Sequence, residues 1–144
     1  GLMKAAISIN STVKQLGYAG LLPFFGLALA SHLLPSVQNE LRAALASYAF
    51  AIICFLVGSW WGMALIRKNV SGLVLSNVIT LVVVAGSIML TTQQFLLFEM
   101  LVLQALWLVE SIFPLFKRQP DYYRRMRMVL SVSGGVCLVM AALD

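Results

Sequence analysis

Two glutamates, Glu99 and Glu110, interrupt an apolar stretch and are the residues of this chain best suited to acid or base chemistry. On a helix, their separation of eleven residues puts both on one face, within about 20°. They would lie about 16 Å apart along the axis, too far for a shared acid–base site such as a glycosidase pair. A carboxyl group inside a membrane is expected to face the bundle interior, to have a partner and to be a functional candidate. We expect local neutralisation, of Glu99 by a proton or water and of Glu110 by an arginine; a proton or ion relay is the alternative.

The other reactive side chains give little support for catalysis. His32 is the single histidine, which excludes a bis-histidine haem and leaves no His/Cys metal cluster. Cys54 and Cys137 lie in apolar runs, where small packing residues are expected rather than a disulfide. No motif places a histidine base beside a serine or cysteine, and no phosphate-binding or dinucleotide fingerprint occurs. The sequence therefore predicts no catalytic residue, no metal and no cofactor.

The composition is that of a protein surrounded by lipid. Hydrophobic residues make up 61% of the 144 residues and charged residues only 10%, whereas about a quarter of a soluble domain is charged. Apolar runs of about 20 residues suit helices that cross a hydrocarbon core about 30 Å thick. Residues 4–15 lack the apolar core and cleavage site of a signal peptide, so none is expected. The class predicted is an all-α, polytopic membrane protein.

Five apolar runs predict one bundle of five transmembrane helices over residues 1–144, without a soluble domain. The predicted spans are about 13–34, 43–66, 70–92, 95–116 and 126–143. The first span is expected to break at Pro23, and the only substantial loop is expected at 117–125.

The basic residues predict the orientation of this bundle. With five spans, nine of the ten Lys and Arg residues fall on the side of the N-terminus, and only Arg42 falls on the other side. Because basic loops stay in the cytoplasm, the N-terminus should be cytoplasmic and the C-terminus outside. The expected location is the bacterial inner (plasma) membrane, or the mitochondrial inner membrane if the protein is eukaryotic, with the N-terminus then in the matrix.

The run Gly58-Ser-Trp-Trp-Gly62 combines the smallest and the bulkiest side chains. Small residues let membrane helices approach closely, so the stripe Cys54–Gly58–Gly62 is predicted to pack against another helix. Trp60 points roughly opposite to Gly58 and is expected to anchor the helix at the headgroups, whereas Trp61 is expected to pack beside the glycines.

The segment 117–127 interleaves arginines with tyrosines beside the membrane. Nucleic-acid binding is not expected there; the predicted ligands are anionic lipid headgroups at Arg124, Arg125 and Arg127, at about 1 kcal/mol per basic residue. Arg127 is also predicted to reach inward to Glu110, because a guanidinium offers a carboxylate a bidentate, charge-assisted partner. Tyr123 is a further candidate donor to that carboxylate.

Three segments resemble the DUF3429 family of small bacterial membrane proteins, which is related to mitochondrial transmembrane protein 69. Its motifs fall on Leu16, Gly17, Gly20, Pro23 and Phe24, on Gly58, Trp61 and Gly62, and on Pro120, Tyr123 and Arg127. Tyr122 replaces the family's tryptophan and Met126 its leucine, while Glu110 fits an acidic position late in the fourth span. The resemblance implies a membrane fold over almost the whole chain and no activity, because the family's function is unknown.

The leading functional prediction is a non-enzymatic accessory, assembly or scaffold component that acts through helix packing, as a homo-oligomer or with another membrane protein. The alternative is a small carrier or a lipid- or quinone-binding protein with a pocket near Trp61 and Glu110. A cavity that reaches both residues would favour the carrier, whereas a dry interior would favour the scaffold. An enzyme acting on a lipid has the least support.

Overall fold

The computed structural model describes the backbone of residues 2–113 and 121–143, and the side chains of residues 11–113 and 121–143. The described chain forms six helices: α1 (Leu2–Ala19), α2 (Leu21–Leu33), α3 (Gln38–Ile66), α4 (Val70–Met89), α5 (Thr92–Ile112) and α6 (Asp121–Ala142). A short 3-10 turn at Pro35–Val37 joins α2 to α3. No strand occurs among these residues.

Within the described residues, five helical segments are long and apolar enough to cross a membrane, as the sequence predicts. They are Ser11–Leu33, Pro35–Ile66, Val70–Met89, Thr92–Ile112 and Asp121–Ala142. The first combines the end of α1 with α2. The predicted count of five spans is therefore confirmed by length and composition.

The first span breaks at Gly20, three residues before the predicted position. α1 ends at Ala19 and α2 begins at Leu21, so Pro23 lies in the first turn of α2. A proline inside a helix clashes with the carbonyl group four residues earlier, here that of Ala19. The strain of Pro23 is therefore relieved one turn upstream, at a glycine.

Helix starts also differ from the hydropathy boundaries. α5 starts at Thr92 rather than at residue 95, because Thr91 and Gln94 form a reciprocal capping box. α3 starts at Gln38 and α6 at Asp121, each five residues before the predicted span. Polar residues can extend a helix beyond the apolar core, so hydropathy locates the membrane and not the helix end. Residues 121–125, predicted as loop, are therefore helical, while 117–120 lie outside the described residues.

The helices are buried very unequally. In the most apolar window of α6, 56% of the residues are buried, compared with 17% for α4. α6 packs chiefly on α5 and α2, whereas α4 packs chiefly on α3. α6 is therefore central and α4 peripheral.

The C-terminal turn of α6 is held by side chains from three other segments. Arg42 Nε donates to the Ala141 carbonyl at 2.7 Å, and its Nη2 donates to Leu143 at 3.1 Å. Gln93 Nε2 donates to Ala142 at 3.0 Å, and His32 Nε2 bonds to Met140. These contacts satisfy carbonyl groups that lack partners within a helix end. We call His32, Arg42 and Gln93 the C-terminal clamp, and the side of the bundle where they lie the far end.

The opposite side is the basic end, where α3 and α5 finish and α4 and α6 begin. There the Lys14 ammonium lies 5.3 Å from the centre of the Tyr122 ring. The spans therefore alternate in direction as predicted, which places Arg67 and Arg124 at the end opposite to Arg42. Which end faces the cytoplasm stays a prediction.

Candidate functional site

Glu110 lies on α5 near the basic end and is 9% exposed. One of its oxygens, Oε1, accepts a hydrogen bond from Arg127 Nη2 at 3.0 Å. The same oxygen accepts a second hydrogen bond from Trp60 Nε1 at 2.8 Å. The predicted pair of Glu110 and Arg127 is confirmed, but the ion pair uses one oxygen and is not bidentate.

Arg127 is buried almost completely, at 2% exposure. Its Nη1 donates to Ser131 Oγ, one turn further along α6, at 3.2 Å. Its Nε has no hydrogen-bond partner within the described residues. A buried guanidinium is tolerable because the carboxylate beside it balances the charge. Among the described residues, Tyr123 makes no hydrogen bond to Glu110, so the additional donor is Trp60 and not the tyrosine.

The burial of the two tryptophans is the reverse of that predicted. Trp60 is 2% exposed and bonds to Glu110, whereas Trp61 is 43% exposed. Gly58 is exposed, and a Cβ added at Gly58 or Gly62 would meet nothing within 4 Å. The prediction that this stripe packs on another helix is therefore wrong. Trp60 and Gly58 differ by about 200° around the helix, so turning the indole toward the carboxylate turns the glycines outward.

The glycine–proline motif of the first span does pack against other helices. A Cβ at Gly17 would overlap the side chain of Met126 on α6. Tyr48 donates to the Gly20 carbonyl at 2.6 Å, which satisfies an acceptor at the break. The Tyr48 ring also meets the fully buried Phe24 edge-on, with centroids 5.1 Å apart.

Glu99 is fully buried on α5, on the interior side of the bundle like Glu110. Neither of its oxygens has a hydrogen-bond partner in the part of the chain that the structure describes. An isolated charge there would be costly. The structure does not bring Glu99 and Glu110 together, and the buried side chains between them on α5, Leu103 and Leu106, are apolar.

A cavity of about 370 Å³ lies between α5 and α6 at the basic end. The described residues that line it are Trp107, Glu110, Ser111, Asp121, Arg124, Arg125, Arg127 and Met128. Among the described residues of the lining, three guanidinium groups and two carboxyl groups give a formal charge of +1. Arg124 and Arg125 are exposed, whereas Arg127 is already engaged by Glu110. Of the three arginines predicted to meet headgroups, two are therefore available.

Sequence reasoning missed the C-terminal clamp and the role of Trp60. Arg42 lies next to the predicted span 43–66, and only the longer helical segment Pro35–Ile66 places it within an apolar span, where an arginine needs a partner. The sequence predicts only that Arg42 lies on the side of the membrane opposite to the N-terminus. Nothing in the sequence alone shows that Trp60, rather than Trp61, turns inward, since that depends on where the neighbouring helix places Glu110.

A family model described as "Protein of unknown function (DUF3429)" matches residues 9–143, so the chain belongs to this family. The match confirms the resemblance seen in the motifs. Neither the curated proteins nor the solved structures gave a match.

Proposed function

We propose that this DUF3429 member is a non-enzymatic inner-membrane protein, an accessory, assembly or scaffold component that acts through its packed helices. The observation that carries the proposal is the engagement of Glu110 by Trp60 and Arg127. The Glu110 carboxyl group thereby joins α5 to α3 and α6. A group held between two donors on different helices is suited to fixing helix positions.

Two further contacts support a structural role. Gly17 lies against Met126, and Gly20 accepts from Tyr48. Both glycines belong to the family motif, and both are used where helices meet. A bundle fixed in this way can present constant surfaces to another membrane protein.

Photo-cross-linking in native membranes tests this proposal. Benzoylphenylalanine replaces Phe25 on α2 or Phe55 on α3, which are 51% and 74% exposed, and also the fully buried Phe24 as a matched control. The scan continues with one exposed position on each remaining helix. A scaffold should give one discrete protein adduct from at least one face and none from Phe24. Lipid adducts alone from every face would contradict it.

An anionic lipid site is a second candidate, and the cavity between α5 and α6 favours it. Arg124 and Arg125 lie on its wall, beside Trp107. A guanidinium matches phosphate oxygens in geometry and charge, and basic pockets between membrane helices bind anionic headgroups. Glu110 lines the cavity and Trp61 does not, so we propose a headgroup site at the basic end rather than a pocket near both residues.

Lipid binding can be tested by native mass spectrometry with phosphatidylglycerol and phosphatidylcholine. The variant Arg124→Gln/Arg125→Gln should lose about 30-fold in affinity for phosphatidylglycerol, from about 1 kcal/mol per basic residue. The matched control Arg67→Gln/Lys68→Gln removes two exposed charges elsewhere at the same end. Equal losses in both variants, or no loss in either, would exclude a specific site in the cavity.

A further inference from the structure

The outward face of α4 carries a regular stripe of exposed residues. Its members are Val70, Val74, Asn77, Leu81, Val84 and Ile88. Their spacing alternates between four and three residues, which is the a/d repeat of two helices packed in a left-handed pair. We call them the α4 stripe. The buried residues of this helix, Ser76 and Val83, lie on another side.

Spacing alone does not define an interface here, because apolar side chains can face lipid as well as another helix. Asn77 is the exception in the α4 stripe. It lies seven residues after Val70, or about 11 Å along the helix, and is exposed. Its Nδ2 donates to the Leu73 carbonyl of its own helix at 3.0 Å. Its Oδ1 accepts no hydrogen bond within the described residues, and a primary amide keeps a second N–H to donate.

A polar amide facing hydrocarbon is unfavourable unless it finds a partner. Within the described residues, the Asn77 side chain makes only the hydrogen bond to Leu73 of its own helix, and α4 packs chiefly on α3. A partner for the second N–H and the Oδ1 atom would therefore have to lie at the same depth in the membrane, beyond the described residues of this chain.

We propose that the α4 stripe is the contact surface for a second copy of this chain, with the two Asn77 side chains hydrogen-bonded to each other. Two copies inserted in the same orientation place their α4 helices parallel, and a two-fold axis along the membrane normal brings equal residues together at equal depth. An amide carries both a donor and an acceptor, so identical amides complement each other. The low burial of α4, 17% of its apolar window, leaves room for this approach.

Oxidative cross-linking at one end of the stripe tests the contact. On a background with Cys54→Ala and Cys137→Ala, Ile88→Cys should give a disulfide-linked dimer in membranes treated with copper phenanthroline. Met89→Cys is the matched control, since Met89 is the next residue, is exposed to 80% compared with 77%, and points about 100° away. Cross-linking at both positions, or at neither, would overturn the proposal.

The amide itself is tested by the dimer fraction in liposomes, measured by single-molecule photobleaching at falling protein density. Asn77→Leu makes the α4 stripe wholly apolar and should raise the dimer dissociation constant about 3-fold to 30-fold, because the hydrogen bond between the two amides is lost. Asn77→Gln, which keeps an amide, should retain most of the dimer. An unchanged dissociation constant for Asn77→Leu, or a monomeric parent at every density, would refute the paired amides. At protein densities where the parent is monomeric, thermal unfolding of both variants should match the parent, because within the described residues Asn77 makes no hydrogen bond to another helix.

Discussion

At the residue scale, the interior depends on one carboxylate oxygen that accepts from two helices. Trp60 reaches Glu110 from α3 and Arg127 reaches it from α6. The guanidinium is 2% exposed, so each charge is acceptable only in the presence of the other. Losing one partner should therefore cost more than losing both.

Arg127→Met should lower the free energy of unfolding by about 3–5 kcal/mol, because it leaves the Glu110 carboxylate without its counter-ion. Adding Glu110→Gln should recover much of this loss, since an amide oxygen can still accept from Trp60. Unfolding in mixed SDS and dodecylmaltoside micelles gives the comparison, with the exposed Arg124→Met as control. A double variant as unstable as Arg127→Met would contradict a compensated pair.

Trp60→Phe should destabilise the bundle by about 1.5–3 kcal/mol, the usual contribution of a hydrogen bond to a charged group. Trp61→Phe should change stability by less than about 0.5 kcal/mol, as surface substitutions normally do, because the Trp61 ring is 43% exposed. Both variants can be measured in the same micelle series. The reverse order of the two effects would show that the indole of Trp60 does not bond to Glu110.

At the scale of elements, the orientation of each helix determines which glycines contribute to helix packing. Gly17 faces Met126 at a helix contact, whereas a side chain at Gly58 would meet nothing within 4 Å. The sequence motif includes both residues and does not distinguish them. Small residues permit close packing, but the orientation of each helix determines whether the space is used.

Gly17→Leu should destabilise the protein by about 1–3 kcal/mol, the usual cost of overpacking. Gly58→Leu should leave stability unchanged or raise it by up to about 1 kcal/mol, because leucine is the better helix former. Thermal unfolding in detergent compares these matched variants. A loss of stability for Gly58→Leu equal to that of Gly17→Leu would mean that α3 packs through its glycine side after all.

The partner of Glu110 could be predicted from the sequence, whereas the orientation of Trp60 could not. A charge inside an apolar span requires a partner, so the pair of Glu110 and Arg127 follows from composition and topology. The choice between Trp60 and Trp61 requires the rotation of α3, which is set by long-range contacts. The sequence does contain a local signal for the start of α5, which is Thr91 followed by Gln94 three residues later. Boundaries drawn from hydropathy alone do not use this signal.

At the scale of the whole molecule, the alternation of the spans is visible in contacts at both ends. Lys14 lies over Tyr122 at the basic end, while Arg42 binds the end of α6 at the far end. This arrangement keeps the basic residues of the described chain together, apart from Arg42. The positive-inside rule then predicts that the basic end is cytoplasmic.

Cysteine labelling of intact cells should confirm this orientation. On a background with Cys54→Ala and Cys137→Ala, Ser36→Cys should react with an impermeant maleimide added outside, and Lys68→Cys should react only after permeabilisation. Both positions are exposed, whereas Arg42, the far-end basic residue, is buried and would not report. Labelling of Lys68→Cys alone in intact cells would reverse the predicted topology.

The C-terminal clamp also imposes an order on the assembly of the bundle during synthesis. A ribosome makes His32, Arg42 and Gln93 before it makes the carbonyl groups of residues 140–143 that they bind. Until α6 has entered the membrane, those acceptors do not exist, and the far ends of α2, α3 and α5 lack the turn that joins them. The far end of the bundle therefore cannot be completed before α6 inserts. Insertion of α6 supplies these carbonyl groups and completes the clamp.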